Sequence, residues 1–222
     1  RHPTLLARAA PRLLHQVYSG ASGRSTRSAS SQPVAGGSTR PSPLASPIIA
    51  TPLRLYDCDV PIDGACVIIV SAADAAKDCA KKPIRIEAFS AALSGKDSWD
   101  QRPDLTQMAS EDCGKDIWKN TDFRPKDVHV AALYDGFSCF VPMWLESFGF
   151  CGRGEGEAFI AAGHTGLTGS LPVNTGGGQL SAGRLHGFGH MHEACTQLRG
   201  LGGGRQVKGA QTAVVGMGGG SL

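Results

Sequence analysis

Asn174, the glycine run Gly176, Gly177 and Gly178, and His186 stand close together in LPVNTGGGQLSAGRLHGFGHMHEACTQLRG, residues 171–200. Glycines let a backbone approach a ligand closely and present its N–H groups, so this loop suits a carbonyl or an anion. The sequence aims Asn174 and His186 at one point. His186 lies between glycines with little core to fill, which favours acid–base work. Asn174 either orients a carbonyl or caps the glycine turn through its side chain. Arg184 either meets an anionic group or makes a structural ion pair. Upstream, Tyr134 closes an apolar run, and in open α/β sheets ligands gather at the carboxyl ends of strands. His186, His190 and Glu193 also invite a metal reading. Gly187 and Gly189 weaken the helix there, His192 falls off the shared face and no cysteine pair joins them, so no metal is expected.

These residues need a scaffold that brings a strand end to a helix start. After the glycine loop, Met191, Ala194, Cys195 and Leu198 recur at helical spacing, and Gly200 is the expected stop. CVIIV at 66–70 reads as a strand buried on both faces, followed by a helix capped by Ser71 and running to about Ala80. Ile84–Phe89 reads as a second strand and about Leu105–Trp118 as a helix. Val128–Leu133 is a buried strand, and Tyr134–Phe137 the turn at its carboxyl end. Ser138 is placed to cap the next helix, whose Val141, Trp144, Leu145 and Phe148 form an apolar face before Gly149. Gln211–Val215 is the last strand, followed by a glycine turn from Gly216. Strands alternating with helices predict an α/β sheet. The spaced glycines of GRGEGE at 152–157 follow a helix, which argues against a dinucleotide fingerprint.

The chain has 222 residues, enough for one good-sized domain, and its 30 glycines and 13 prolines predict many loops. No run of about 18 apolar residues exists, so no helical membrane span is expected. Residues 1–56 hold seven arginines and no acid, which leaves 57–222 at −4 within a net charge of +3. Residues 1–50 are rich in Ser, Arg, Pro and Gly and are expected to be a disordered tail, with 51–222 as the folded domain. The tail's composition also fits a mitochondrial transit segment. No aromatic interleaving supports nucleic-acid binding. Seven cysteines lack disulfide-framework or CxxC spacing and are expected to be reduced, which favours the cytoplasm, with the mitochondrial matrix as the alternative if the tail is a transit segment.

Four ordered stretches carry a resemblance: LYDCDVPIDGACVIIVSAADAA at 55–76, DVHVAALYDGFS at 127–138, VNTGGGQLSAGRLHG with EACTQLRG and GRQV from 173, and AVVGMGGG at 213–220. Together they are similar to the C-terminal half of the thiolase superfamily, in its lipid-transfer-protein or sterol-carrier-type branch, whose members include acetyl-CoA acetyltransferase-like and aldolase-like enzymes. The resemblance implies an α/β fold that is the C-terminal half of a layered αβαβα arrangement, cut at both ends. It implies carbon–carbon bond chemistry on an acyl-CoA, chiefly as an acyltransferase, with retro-aldol cleavage of a β-hydroxyacyl-CoA beside a small OB-fold partner as the alternative. A non-catalytic acyl-CoA or lipid-binding module, or an inactive fragment, is the remaining reading. Coenzyme A would enter as part of the substrate rather than as a cofactor, and a homo-oligomer is expected.

Matching by the family pattern places Arg184 where a thiolase has the His of its GHP turn, with His186 two residues on. It places Tyr134 on the NEAF asparagine and Gly216 on the cysteine before the terminal glycines. Gly216 cannot act as a base, and no cysteine here matches the acyl-accepting nucleophile. The aldolase-like members instead use tyrosines for acid–base work, which makes Tyr134 and His186 the expected catalytic pair. Asn174, Gly177, Gly178 and Arg184 are expected to bind substrate, with Gly218 and Gly219 offering backbone donors to an enolate.

Overall fold

The computed structural model describes residues 2–9, 18–22, 43–92, 104, 106 and 109–218. Its strands are β1 (His2–Ala9), β2 (Tyr18–Ser22), β3 (Ile48–Ala50), β4 (Leu53–Arg54), β5 (Ala65–Ile69), β6 (Ile84–Ala92), β7 (Val130–Leu133) and β8 (Thr212–Gly216). Its helices are α1 (Ala109–Ile117), α2 (Phe140–Ser147), α3 (Gly156–Ala161), α4 (Gly178–Ala182) and α5 (Phe188–Leu198). The principal sheet has the order β6-β1-β8-β7, with β7 and β8 parallel and β1 antiparallel to both β6 and β8.

Period-two alternation in β7 and β8 builds a core on each face of this sheet. Val130, Ala132, Ala213 and Val215 pack with Ala194, Cys195 and Leu198 of α5. Ala131, Leu133 and Val214 pack on the other side with Ile117 of α1 and Phe140, Trp144 and Leu145 of α2. Both faces being covered explains why VAAL and TAVVG are buried at every position rather than at every second one. The α/β expectation holds, and it is the parallel pair that sets the carboxyl end of β7 beside the start of α5.

Several local expectations change. The strand at 66–70 is real but not buried on both faces: among the described residues β5 pairs only with β2, and Ala65, Val67 and Ile69 are exposed while Cys66 and Ile68 are partly covered. A two-stranded ribbon with one face toward α5 leaves its other face open. The turn after it is a short 3-10 helix over Ala75–Asp78, and Asp74 rather than Ser71 accepts its first N–H, at 3.0 Å. Ser138 does not cap α2. Its hydroxyl donates to Asp57 at 2.8 Å, its N–H is held by the Asp57 carbonyl, and Cys139 takes the N-cap position without a side-chain bond.

Within the segment expected to be disordered, β1 and β2 are paired as strands, because the sheet and the β5 ribbon each offer free backbone groups for them to satisfy. The rest of 1–42, Trp99, Leu105, Met108 and Gly219 lie outside the described residues.

Candidate functional site

The site grows from the last residue of β7. Leu133 gives its N–H to Asn174 Oδ1 at 2.7 Å, and its carbonyl accepts Asn174 Nδ2–H at 2.8 Å. Asn174 has φ +47°, a left-handed conformation that asparagine tolerates better than most residues. Its side chain therefore fastens the glycine loop to the strand, with its oxygen and one of its two Nδ2 hydrogens engaged there.

Two residues further along the strand direction, Asp135 is buried at 3% exposure. Its Oδ1 accepts the N–H of Gln179 at 2.8 Å, and its Oδ2 faces the N–H of Leu180 at 3.4 Å. Gly178 has φ +59°, and a Cβ there would overlap the Asp135 carboxylate. The anion expected at the glycine loop is thus supplied by the chain itself: the loop closes on its own aspartate. Proximity of a buried carboxylate to unpaired helix-start N–H groups is the physical reason.

The same carboxylate reaches α5. His190 Nε2 lies 2.9 Å from Asp135 Oδ1, with both side chains almost fully buried. The imidazole stacks on the Tyr134 ring at a centroid distance of 6.2 Å and an interplanar angle of 28°. His190 Nδ1 is buried without a partner among the described residues, and so is Gln179 Nε2. Gln179 Oε1 is engaged, accepting the Gly187 N–H at 3.3 Å. An unmet buried polar atom costs about 1–3 kcal/mol, so two of them on one wall require a reason.

Both residues line a cavity of about 250 Å³. Asn174, Gly178, Ile62, Leu185, His192 and Glu193 complete much of its wall. Glu193 is held by Thr175 Oγ1 at 2.7 Å, Gln197 Nε2 at 2.9 Å and a two-pronged contact from Arg205, Nε at 3.0 Å and a terminal nitrogen at 2.9 Å. Burial pushes the Glu193 carboxyl up, but these hydrogen bonds and the Arg205 charge outweigh it and hold the group below its ordinary value. For His192, burial pushes the imidazole down; the charges of Arg205, Arg199 and Lys81 add to that and Glu193 opposes it.

The expected site residues divide. Gly178 and Asn174 lie on the cavity wall; Gly177, at φ +97°, is the N-cap of α4. Tyr134 sits behind the wall, between His190 and Phe140. His186, also at φ +47°, is exposed and off the wall, so it does not converge with Asn174. Arg184 is 46% exposed, with Asp59 at 3.6 Å as its ion-pair partner. The Gly218 carbonyl accepts the Trp144 indole N–H at 3.1 Å. Sequence reasoning missed Asp135 and His190 as a pair, although Asp135 directly follows Tyr134 at the strand's carboxyl end.

Burial pushes the Cys66, Cys139 and Cys151 thiols up, Cys151 to about 11 with help from Glu146 and Glu155. A nucleophilic cysteine needs the opposite shift. At position 216 a Cβ would come within 2.8 Å of the Trp144 indole, and the Gly216 carbonyl already accepts the Tyr134 N–H at 3.0 Å.

The family described as thiolase C-terminal domain-like matches residues 91–222. The chain belongs to the thiolase family. Its relatives within that family are enzymes of more than one kind. This thiolase-family chain is 41% identical over 157 residues to the 17-hydroxy-3-oxo-4-pregnene-20-carboxyl-CoA lyase of Mycobacterium tuberculosis, covering 68% of this chain and 40% of that protein. It is 34% identical over 172 residues to the acetyl-CoA acetyltransferase of Methanothermobacter thermautotrophicus, covering 76% and 45%. Among solved structures it is similar to the Ltp2-ChsH2(DUF35) aldolase, with a TM-score of 0.73, 33% identity, and coverage of 80% of this chain and 47% of that one. The chain thus spans about half the length of these thiolase-family relatives, and the layered α/β fold expected from the resemblance is the one observed.

Proposed function

We propose that the complete protein performs carbon–carbon bond chemistry on acyl-CoA, and that the reaction is retro-aldol cleavage of a β-hydroxyacyl-CoA rather than acyl transfer between CoA esters. The observation that carries this reading is the Trp144 indole packed against Gly216. Where the thiolase pattern has a cysteine, this chain leaves no room for any side chain. Acyl transfer needs a base at that place to activate the attacking thiol, whereas a retro-aldol step needs a base at the hydroxyl and donors at the thioester oxygen.

In the reaction a proton leaves the β-hydroxyl and its electron pair becomes the new carbonyl. The Cα–Cβ bond breaks, its electrons pass to the thioester enolate, and a proton returns to the α-carbon. Coenzyme A takes part only as the ester of the substrate. A small OB-fold partner fits this reading, supported by the pairing of Ltp2 with ChsH2(DUF35) in the similar structure. The test is to give the complete protein a β-hydroxyacyl-CoA without free CoA, and separately a β-ketoacyl-CoA with free CoA. Release of a ketone or aldehyde with a shortened acyl-CoA in the first mixture supports the proposal. Turnover confined to the second would establish acyl transfer instead.

A further inference from the structure

The cavity of about 250 Å³ has two unlike ends, and glycines shape both. At one end the neighbours are carboxylates: a Cβ at Gly176 would meet that of Glu193, and one at Gly178 that of Asp135. Both acids are already committed, Glu193 to Arg205, Gln197 and Thr175, and Asp135 to His190 and the Gln179 N–H. At the other end the neighbours are aliphatic. A Cβ at Gly183 would overlap the Ile62 side chain, and one at Gly64 would lie 3.4 Å from Ile62 Cδ1 and 3.5 Å from Leu185 Cδ2. At Gly189 it would lie 3.9 Å from Leu185 Cδ1. Ile62 thus lies against Gly183 and Gly64, and Leu185 against Gly64 and Gly189, and all five residues line the cavity. They form one continuous hydrocarbon surface, while Asp63, the acid of the same loop, is exposed. Backbone bonds fix the loop that carries Ile62: the Val60 N–H donates to the Gln179 carbonyl at 3.2 Å, and the Val60 carbonyl accepts the Arg184 N–H at 2.9 Å.

We infer that the cavity binds the hydrocarbon chain of an acyl thioester, and that Ile62 and Leu185 set how long a chain it takes. A group entering at this end meets methyl and methylene carbons, so it gains affinity by the apolar surface it brings out of water. A cavity of about 150 Å³ holds benzene, so by that scale this one takes a chain of about ten carbons. The inference rests on the acyl-CoA reading for the thioester, and on the Ile62 and Leu185 surface for the chain.

The experiment is isothermal titration of the complete protein, as wild type, Ile62→Ala and Ile62→Asn, with free CoA and with saturated acyl-CoAs from butyryl to palmitoyl. Each methylene buried contributes about fourfold in affinity, so wild-type affinity is expected to climb with chain length and level off near decanoyl-CoA. Ile62→Ala should move that plateau to longer chains. Ile62→Asn places an amide in the hydrocarbon surface and should weaken octanoyl-CoA at least about tenfold, with free CoA changed by less than about threefold. Affinity that does not depend on chain length, a plateau unmoved in Ile62→Ala, or equal losses for octanoyl-CoA and free CoA in Ile62→Asn overturns the inference. Saturated acyl-CoAs carry no β-hydroxyl to cleave, so these results stand whether or not the retro-aldol reaction is found. If the complete protein binds none of the acyl-CoAs, the acyl-CoA reading fails, and free fatty acids of the same lengths decide the site. Length-dependent binding that Ile62→Asn weakens then keeps the site, and its absence overturns it.

Discussion

Gly178 and Asp135 share one volume, and neither can change without the other. A methyl group at 178 would meet the carboxylate that ties α4 to α5, on a backbone at φ +59° where a β-carbon is already disfavoured. Gly178→Ala should cost at least about 2 kcal/mol, a fall in melting temperature of about 4–8 °C for a chain of this size. Calorimetry checks this; an unchanged melting temperature would mean that the carboxylate sits elsewhere. At this scale the glycine loop and Tyr134 could be picked out from the sequence, whereas the Asp135–His190 contact could not. His186 and His190 are four residues apart and alike in composition of surroundings. What separates them is the carboxylate of Asp135, 55 positions away in the chain, which no local spacing reveals. Asn174 was read as turn-capping or carbonyl-orienting, and its bond to Leu133 spans 41 positions for the same reason.

The helix α5 is where local pattern and tertiary demand agree. Its apolar spacing was legible, since Ala194, Cys195 and Leu198 pack on the sheet, and its end at Gly200 followed from a left-handed φ of +73°. Less legible was its polar side, where Glu193 reaches Arg205 across the following loop. Because folding lowers the Glu193 pKa, the unfolded chain takes up the proton first. This contribution is present above the unfolded value of about 4.3 and is lost as pH falls through the lower folded value. Arg205→Met should destabilise by about 2 kcal/mol at pH 7, less than for a fully buried pair because Arg205 is 40% exposed. The destabilisation should shrink below about pH 4, where protonation of Glu193 removes the partner's advantage. Urea melts of the variant and wild type at both pH values check the sign. For β5, sequence hydrophobicity alone could not tell a central strand from a ribbon with one open face, because the run of apolar residues is the same in both.

For the whole molecule, the resemblance to one family and the α/β layering were both legible, since four ordered stretches agree where any one would be ambiguous. What a single chain's sequence does not show is which apolar residues stay uncovered. Val67 is 60% exposed, Ile69 51% and Phe89 53%. Exposed apolar surface of this kind drives association. The 222-residue polypeptide should self-associate at micromolar concentration, and Val67→Lys with Phe89→Lys should move its elution in size-exclusion chromatography toward the monomer. Elution unchanged by both substitutions would place the contact elsewhere.

The fastening of Asn174 to Leu133 bears on how such association can grow. Ala131 gives its N–H to the Pro172 carbonyl and accepts the Asn174 N–H, each at 2.9 Å, while the Asn174 carboxamide satisfies both groups of Leu133. A side chain here plays the part of one more residue of strand, so the outer edge of β7 offers no template to a further chain. Among the described strands, propagation by strand addition to this sheet is left only the β6 edge, and the half of the sheet that carries the site is sealed against it.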